Sequence, residues 1–137
     1  KHLKDLSVSR RKSALKWGIP CPSDENHMMY VWFDALTNYL TVLGYPRQSP
    51  ETMPHWKNSI HVVGKDITKF HCIYWIAFLK AAGYPLPSKV MVHSHWIKDN
   101  RKMSKSIGNV VEPMRILSKY NLEAIRYYLA IRGPHLS

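Results

Sequence analysis

Lys102-Met103-Ser104-Lys105-Ser106 sets two ammonium groups three residues apart, interleaves them with two hydroxyls, and is followed by Gly108. Each lysine offers three donors and a compact charge, while the serines donate from short arms, so the stretch suits a mobile loop that folds over a polyphosphate. A solvated basic loop is the competing reading of any two surface lysines. Gly64-Lys65-Asp66 is a second candidate. Gly64 permits close backbone approach to a ligand, and Asp66 offers a carboxylate for an ammonium group or a ribose hydroxyl. Locally, Asp66 reads equally well as a helix N-cap.

A third group consists of Trp32, Tyr39, Phe70, His71 and Trp75, ring faces with two polar tips among them. Such a pocket suits a flexible thioether, because sulfur contacts with rings contribute roughly 0.3 to 1.5 kcal/mol each. His71 also reads as a hydrogen-bonded core histidine. His93-Ser94-His95 lacks a third ligand at helical or hairpin spacing, so no metal site is expected. Cys21 and Cys72 form no Cys-x-x-Cys pair and are expected to be free thiols in a reducing compartment.

The elements that must position these groups follow from pattern and punctuation. Trp17 to Pro22, with two prolines at alternate spacing, reads as an extended connector or edge strand, and Ser23 to His27 as a polar turn. Met28 to Trp32 has strand character, and Asp34 is placed to cap a helix carrying Ala35, Leu36, Tyr39, Leu40 and Leu43, stopped by Gly44 and Pro46. Arg47 to Asn58 reads as a loop, Ile60 to Val63 as a buried strand, Ile67 to Ala82 as a helix closed by Gly83 and Pro85, and Lys89 to His93 as a third strand. On that second helix His71 and Trp75 share a face with Ile67, and Phe70 and Tyr74 share the adjacent one. Pro113 opens a helix running to Tyr120, and Asn121 caps the next, Leu122 to Ile131.

Strand, helix, strand, helix, strand predicts parallel strands joined by right-handed crossovers, the second half of a doubly wound, Rossmann-like α/β sheet. In such a sheet the ligand crevice lies beyond the carboxyl ends of the strands, where Trp32 to Asp34, Gly64 to Asp66, His93 to His95 and the lysine loop would all fall. The expected organisation is a connector at 1–27, half of a nucleotide-binding domain at 28–101, a loop closing on ATP at 102–111, and the start of a helical region at 112–137.

A chain of 137 residues, 45% hydrophobic and 21% charged, can bury one real core, which excludes disorder as its state. The surplus of 20 Lys and Arg over 9 Asp and Glu gives a net charge of +11 and favours polyanionic partners, nucleic acid or nucleoside triphosphate. Apolar stretches such as Ile73 to Leu79 are too short to span a bilayer, and no apolar run follows Lys1, Lys4 and Asp5, so neither a membrane nor a secretory role is expected. A P-loop is excluded because no Gly-x-x-x-x-Gly-Lys-Ser/Thr run exists.

The pentapeptide Lys102 to Ser106 resembles the signature loop of class I aminoacyl-tRNA synthetases. Tyr30 to Ala35, Gly64 to Ile67 with Phe70-His71 and Tyr74-Trp75, and Ile107 to Val111 resemble the methionyl-tRNA synthetase family in order and spacing, with matches from about Asp5 to Arg132. Val92 to Trp96 and Phe70 to Leu79 are most similar to its bacterial and mitochondrial branch. The resemblance implies that Trp32, Ala35, Tyr39, Phe70 and His71 line a methionine side-chain pocket, with Asp66 holding the amino group. It likewise implies ATP with Mg2+ at Gly64, Asp66, His95, Lys102, Met103, Ser104, Lys105 and Ser106, with Lys102 and Lys105 as catalytic cations. Arg10 matches a family arginine near the activation site.

Two departures stand out. Ile76 replaces a proline that many relatives carry, which predicts a straighter helix. The family's His-Ile-Gly-His type motif, the first half of its nucleotide-binding fold and its anticodon-binding region are missing, so the chain is expected to be a piece of a longer enzyme, inactive alone. The implied partners are methionine, ATP and tRNA(Met), and the implied location is the mitochondrial matrix, with the cytoplasm as alternative. Two rival readings remain: a class I synthetase for valine, leucine or cysteine, and a basic RNA-binding module without activity.

Overall fold

The computed structural model describes residues 3–133 and divides into two compact units. The first comprises residues up to Ile60 together with Lys69–Lys89; the second comprises His61–Thr68 and the chain from Val90 onward.

The first unit opens with an antiparallel sheet in the order β1-β3-β2, made of β1 (Ser9–Arg11), β2 (Pro20–Cys21) and β3 (Asp24–Met29). Ser9 faces Met29 and Arg11 faces His27. The expected edge strand is present: Pro20, with no N–H to give a ladder, occupies the first position of the edge strand β2. The expected strand Met28 to Trp32 is displaced. Its polar predecessor is the strand, and Val31 and Trp32 are already wound into α1 (Val31–Thr41). Asp34 is not the cap; extended Tyr30 is, and Asp34 lies in the first turn, where a carboxylate complements the helix dipole. Leu36 and Leu40 need the helical spacing that buries them together, and an apolar run this short fits strand and helix equally until such partners are known.

The stretch expected as one helix, Ile67 to Ala82, is helical but winds in three ways. A 3-10 turn (Lys65–Ile67) in the second unit leads into a π turn (Phe70–Tyr74) and then α2 (Trp75–Ala81) in the first. The winding therefore changes just ahead of Ile76, and the uniform helix expected there is not found. A π turn adds a residue per turn, and such turns recur where side chains are aimed at a function. Gly83, at φ 73°, closes α2 in the left-handed region, as the sequence predicted. The core joins Leu36 and Leu40 of α1 to Trp75 and Leu79, with Met53 and Trp56 inserted from the proline-containing loop. Trp56 is fully buried, and its indole N–H donates to the Pro85 carbonyl at 2.8 Å.

In the second unit, β4 (Ile60–Gly64) pairs with β5 (Lys89–His93), the two strands expected from sequence. A hairpin not expected follows: β6 (Ile97–Lys98) and β7 (Arg101–Lys102), antiparallel, joined by Asp99 and Asn100. Both turn residues have positive φ, 54° and 56°, the pair of left-handed conformations that a tight hairpin demands and that Asp and Asn tolerate best after glycine. Lys102 thus ends a strand instead of opening a loop. Pro113 begins α3 (Pro113–Leu117), which ends before Tyr120, and Asn121 caps α4 (Leu122–Ile131) by accepting from the Ala124 N–H at 2.8 Å.

The chain mixes helices and strands as predicted. Its first expected parallel strand, however, belongs to an antiparallel sheet separate from β4 and β5. Among the described residues, no helix is long and apolar enough to cross a membrane.

Candidate active site

In the first unit, α1, the π turn and the start of α2 bring all five ring-bearing candidates together, with the His71 imidazole buried among the other four rings. Trp32 stacks on Phe70 with centroids 4.0 Å apart and planes 15° from parallel, and it meets His71 edge-on at 6.4 Å. Tyr39 lies edge-on to His71 at 5.6 Å and tilted against Trp75 at 6.1 Å. His71 is only 2% exposed, and its Nε2 is 2.8 Å from the Tyr39 hydroxyl, a hydrogen bond whose donor is set by the imidazole tautomer. Burial pushes the Tyr39 phenol above its ordinary pKa of 10.0, so it stays neutral under physiological conditions. The core and site readings of His71 are therefore compatible.

The remaining members are less concentrated. Ala35 is exposed on α1. An apolar recess of about 400 Å³ in the same unit is lined by Phe33, Tyr45, Phe78 and Tyr84 with Trp75, not by Trp32 or His71. Arg10 is engaged locally: its guanidinium lies 4.0 Å over the Tyr30 ring and donates to the carbonyls of Ser7 and Ser9.

In the second unit, Asp66 lies in the turn after β4. Gly64, not Asp66, is the N-cap residue of that turn, which leaves the Asp66 carboxylate to other partners. One oxygen accepts from the Lys102 ammonium, and the other lies 3.0 Å from His95 Nε2. Asp66 and Lys102 are about half exposed, while His95 is mostly covered. Gly64 makes the imidazole's position possible, since a Cβ there would come within 2.9 Å of His95 Cε1. Three candidates far apart in sequence are thus one polar cluster.

Beyond β7 the lysine segment is held in a defined turn. The N–H groups of Ile107 and Gly108 donate to the Ser104 carbonyl, and Gly108 adopts φ 72°. Ser104 and Ser106 hydroxyls are 2.7 Å apart, and Met103 Sδ accepts from the Val111 N–H. Asn109, which residue-type reasoning passed over, accepts from the Ser104 N–H at 2.8 Å and donates to the Lys102 carbonyl at 3.2 Å. An asparagine directly after a left-handed glycine was the available signal. Lys105 is exposed. A half-exposed carboxylate beside an imidazole and an ammonium group, with a further lysine on a braced turn, can exchange its partner for a ligand ammonium and offer positive charge to phosphates.

Known proteins share this arrangement of sequence and fold. Residues 1–137 match the family described as tRNA synthetases class I (M). The chain is 53% identical over 133 residues to the probable mitochondrial methionine--tRNA ligase of Schizosaccharomyces pombe, covering 96% of this chain and 25% of that protein. It is 50% identical over 132 residues to the methionine--tRNA ligase of Brucella suis, covering 96% and 25%. Among solved structures, Mycobacterium tuberculosis methionyl-tRNA synthetase in complex with methionyl-adenylate superposes with a TM-score of 0.80 at 43% identity, covering 93% of this chain and 25% of that one. The chain therefore spans about a quarter of the length of these relatives. With a match along its whole length and a fold in common with those enzymes, the chain belongs to the tRNA synthetases of class I (M).

Proposed function

We propose that this chain is part of an enzyme that activates methionine with ATP to methionyl-adenylate and transfers the methionyl group to tRNA(Met). The reaction is attack of the methionine carboxylate on the α-phosphorus of ATP, with release of pyrophosphate. No covalent enzyme intermediate is needed, so catalysis rests on positioning and on charge placed where negative charge develops. Lys105 and Lys102 are the proposed cations, and Gly64, His95, Met103, Ser104 and Ser106 the proposed surroundings of the nucleotide. Asp66 is the proposed seat of the methionine ammonium. Among the described residues no group of three or more His, Cys, Asp or Glu side chains is suited to a metal ion, so Mg2+ is proposed only as a companion of the ATP phosphates.

The observation that carries the choice of methionine is the 2.8 Å hydrogen bond between Tyr39 and the buried His71, set among the rings of Trp32, Phe70 and Trp75. A hydrophobic pocket separates near-isosteres by only about 1 to 3 kcal/mol per methylene. Rings favour sulfur over methylene, and a polar pair within reach of the thioether adds to that preference. Ala35 is proposed to complete the pocket. The segments 1–27, 28–101, 102–111 and 112–137 are proposed as connector, half of a doubly wound catalytic fold, ATP-closing segment and the start of a helical domain. Mitochondrial names among the relatives favour the mitochondrial matrix over the cytoplasm.

The test is amino-acid-dependent exchange of pyrophosphate into ATP by the complete protein, run with methionine, leucine, valine and cysteine. Exchange with methionine alone supports the reading, and preference for another amino acid assigns a different class I synthetase. RNA binding without any exchange leaves the basic RNA-binding module. Within the complete protein, the pair Tyr39→Phe and His71→Leu should erode discrimination against leucine; unchanged discrimination would remove this pair from the account of specificity.

A further inference from the structure

The two neighbours of the Asp66 carboxylate, His95 and Lys102, are not equivalent. His95 is mostly covered and stands against Gly64, so its place is fixed by packing. Lys102 is more than half exposed at the end of a short strand, its backbone carbonyl accepting from Asn109 while its side chain crosses to Asp66. An exposed ion pair of this kind is weak and exchanges readily. A carboxylate already approached by an imidazole on one oxygen has one oxygen left to give, and two ammonium groups cannot both use it without mutual repulsion.

We propose that Asp66 is a shared seat which holds the Lys102 ammonium until a substrate ammonium displaces it, and that the displaced lysine is thereby released toward the polyphosphate. This rests on the amino-acid reading of Asp66 given above. The consequence is an interlock. Before the amino acid arrives, Lys102 is neutralised and the second unit offers ATP chiefly the charge of Lys105; afterwards it offers both. Linkage then requires that amino acid and nucleotide each tighten the binding of the other, by the same factor. Asn109 keeps the backbone of Lys102 in place, so the exchange is a swing of one side chain and not a rebuilding of the turn.

The interlock makes a prediction of unusual sign, because deleting a substrate-side cation should improve the binding of the other substrate. Methioninol, which keeps the ammonium and the thioether and lacks the carboxylate, is the probe, titrated calorimetrically into the complete protein with and without a non-hydrolysable ATP analogue. Lys102→Met should bind methioninol about two- to fivefold more tightly than the unaltered protein, the range expected for release from one exposed ion pair. It should also bind the analogue with an affinity that methioninol no longer changes. Lys105→Met should bind the analogue more weakly yet keep the mutual tightening. Equal or weaker methioninol binding by Lys102→Met, or undiminished coupling, would overturn the interlock and leave the amino-acid site standing. Absence of methioninol binding to the unaltered protein and to Lys102→Met alike would overturn the amino-acid reading of Asp66 and the interlock with it.

Discussion

Gly64 and His95 are fitted to one another: the hydrogen of the glycine faces the imidazole, and a methyl group in its place would stand 2.9 Å from Cε1. Because the obstructing atom belongs to a side chain, Gly64→Ala should cost little stability but push the ring from its 3.0 Å approach to Asp66. Displacements of this size in a positioned site cost up to about a hundredfold in rate. The complete enzyme carrying Gly64→Ala should lose roughly ten- to a hundredfold in pyrophosphate exchange. Since the loss acts through the ring, Gly64→Ala combined with His95→Ala should be no worse than His95→Ala alone. Additive losses in the double variant would show that Gly64 acts on something else.

The contrast between what could and could not be read in advance follows from the range of the forces involved. β4, β5, the cap at Asn121 and the proline opening α3 were legible because each depends on residues within a few positions of one another. The first turn of α1 was not. Val31 and Trp32 became helical through burial of Leu36 and Leu40 against Trp75 and Leu79, partners about forty residues away. Met53 and Trp56 sat in a stretch whose prolines said only loop, and both entered the core, Trp56 because its one donor found the Pro85 carbonyl. At the site, the sequence places Asp66, His95 and the lysine loop at one end of the expected sheet, but the direct pairing of Asp66 with His95 and Lys102 is not legible in it, because that pairing depends on a hairpin turned at Asp99-Asn100 without a glycine to mark it.

Asn109 ties the two ends of the lysine segment through Ser104 and Lys102. Asn109→Ala removes both bonds from a mostly exposed turn, so the expected loss in stability is modest, about 1 kcal/mol for each bond. The functional loss should be larger and one-sided. KM for ATP should rise and kcat fall, while methioninol should bind no more weakly, because the brace also holds Lys102 beside Asp66. Steady-state exchange kinetics with separate variation of ATP and methionine would check this, and a matching rise in KM for methionine would count against the brace.

Lys105 should matter most once ATP is bound, since it is exposed and therefore free to meet phosphates without first leaving a carboxylate. Loss of one well-placed donor to developing charge typically costs about 3 to 4 kcal/mol, or a hundred- to a thousandfold in rate. Lys105→Ala in the complete enzyme should show a fall of that order in single-turnover adenylate formation. A fall of less than about fivefold would reassign Lys105 to the surface.

Leu36 offers a test of the core that is independent of any function. It is 1% exposed and packs with Leu40 and Leu79 in the first unit. Leu36→Ala should destabilise that unit by about 2 to 5 kcal/mol, the combined cost of lost burial and the cavity left behind. Urea unfolding followed by tryptophan fluorescence suits the measurement, because Trp56 and Trp75 lie in the same cluster.

Tyr39 should give the proposed pocket a dependence on pH. Burial raises its phenol above the ordinary 10.0, so the folded state holds the proton more tightly than the unfolded chain does. The stabilisation this represents is fully present below pH 10 and is lost as pH rises through the higher folded value. Stability and methionine affinity should therefore carry no contribution from Tyr39 ionisation between pH 7 and 9, and both should fall above pH 10 as the phenolate forms beside the buried imidazole. Tyr39→Phe removes the hydrogen bond to His71, costing about 1 kcal/mol at neutral pH, and it also removes the titrating group. Its urea midpoint should accordingly lie below that of the unaltered protein at pH 8 and approach it as pH rises past 10. Parallel curves across that range would mean that the Tyr39 proton is held no more firmly in the folded chain than in the unfolded one.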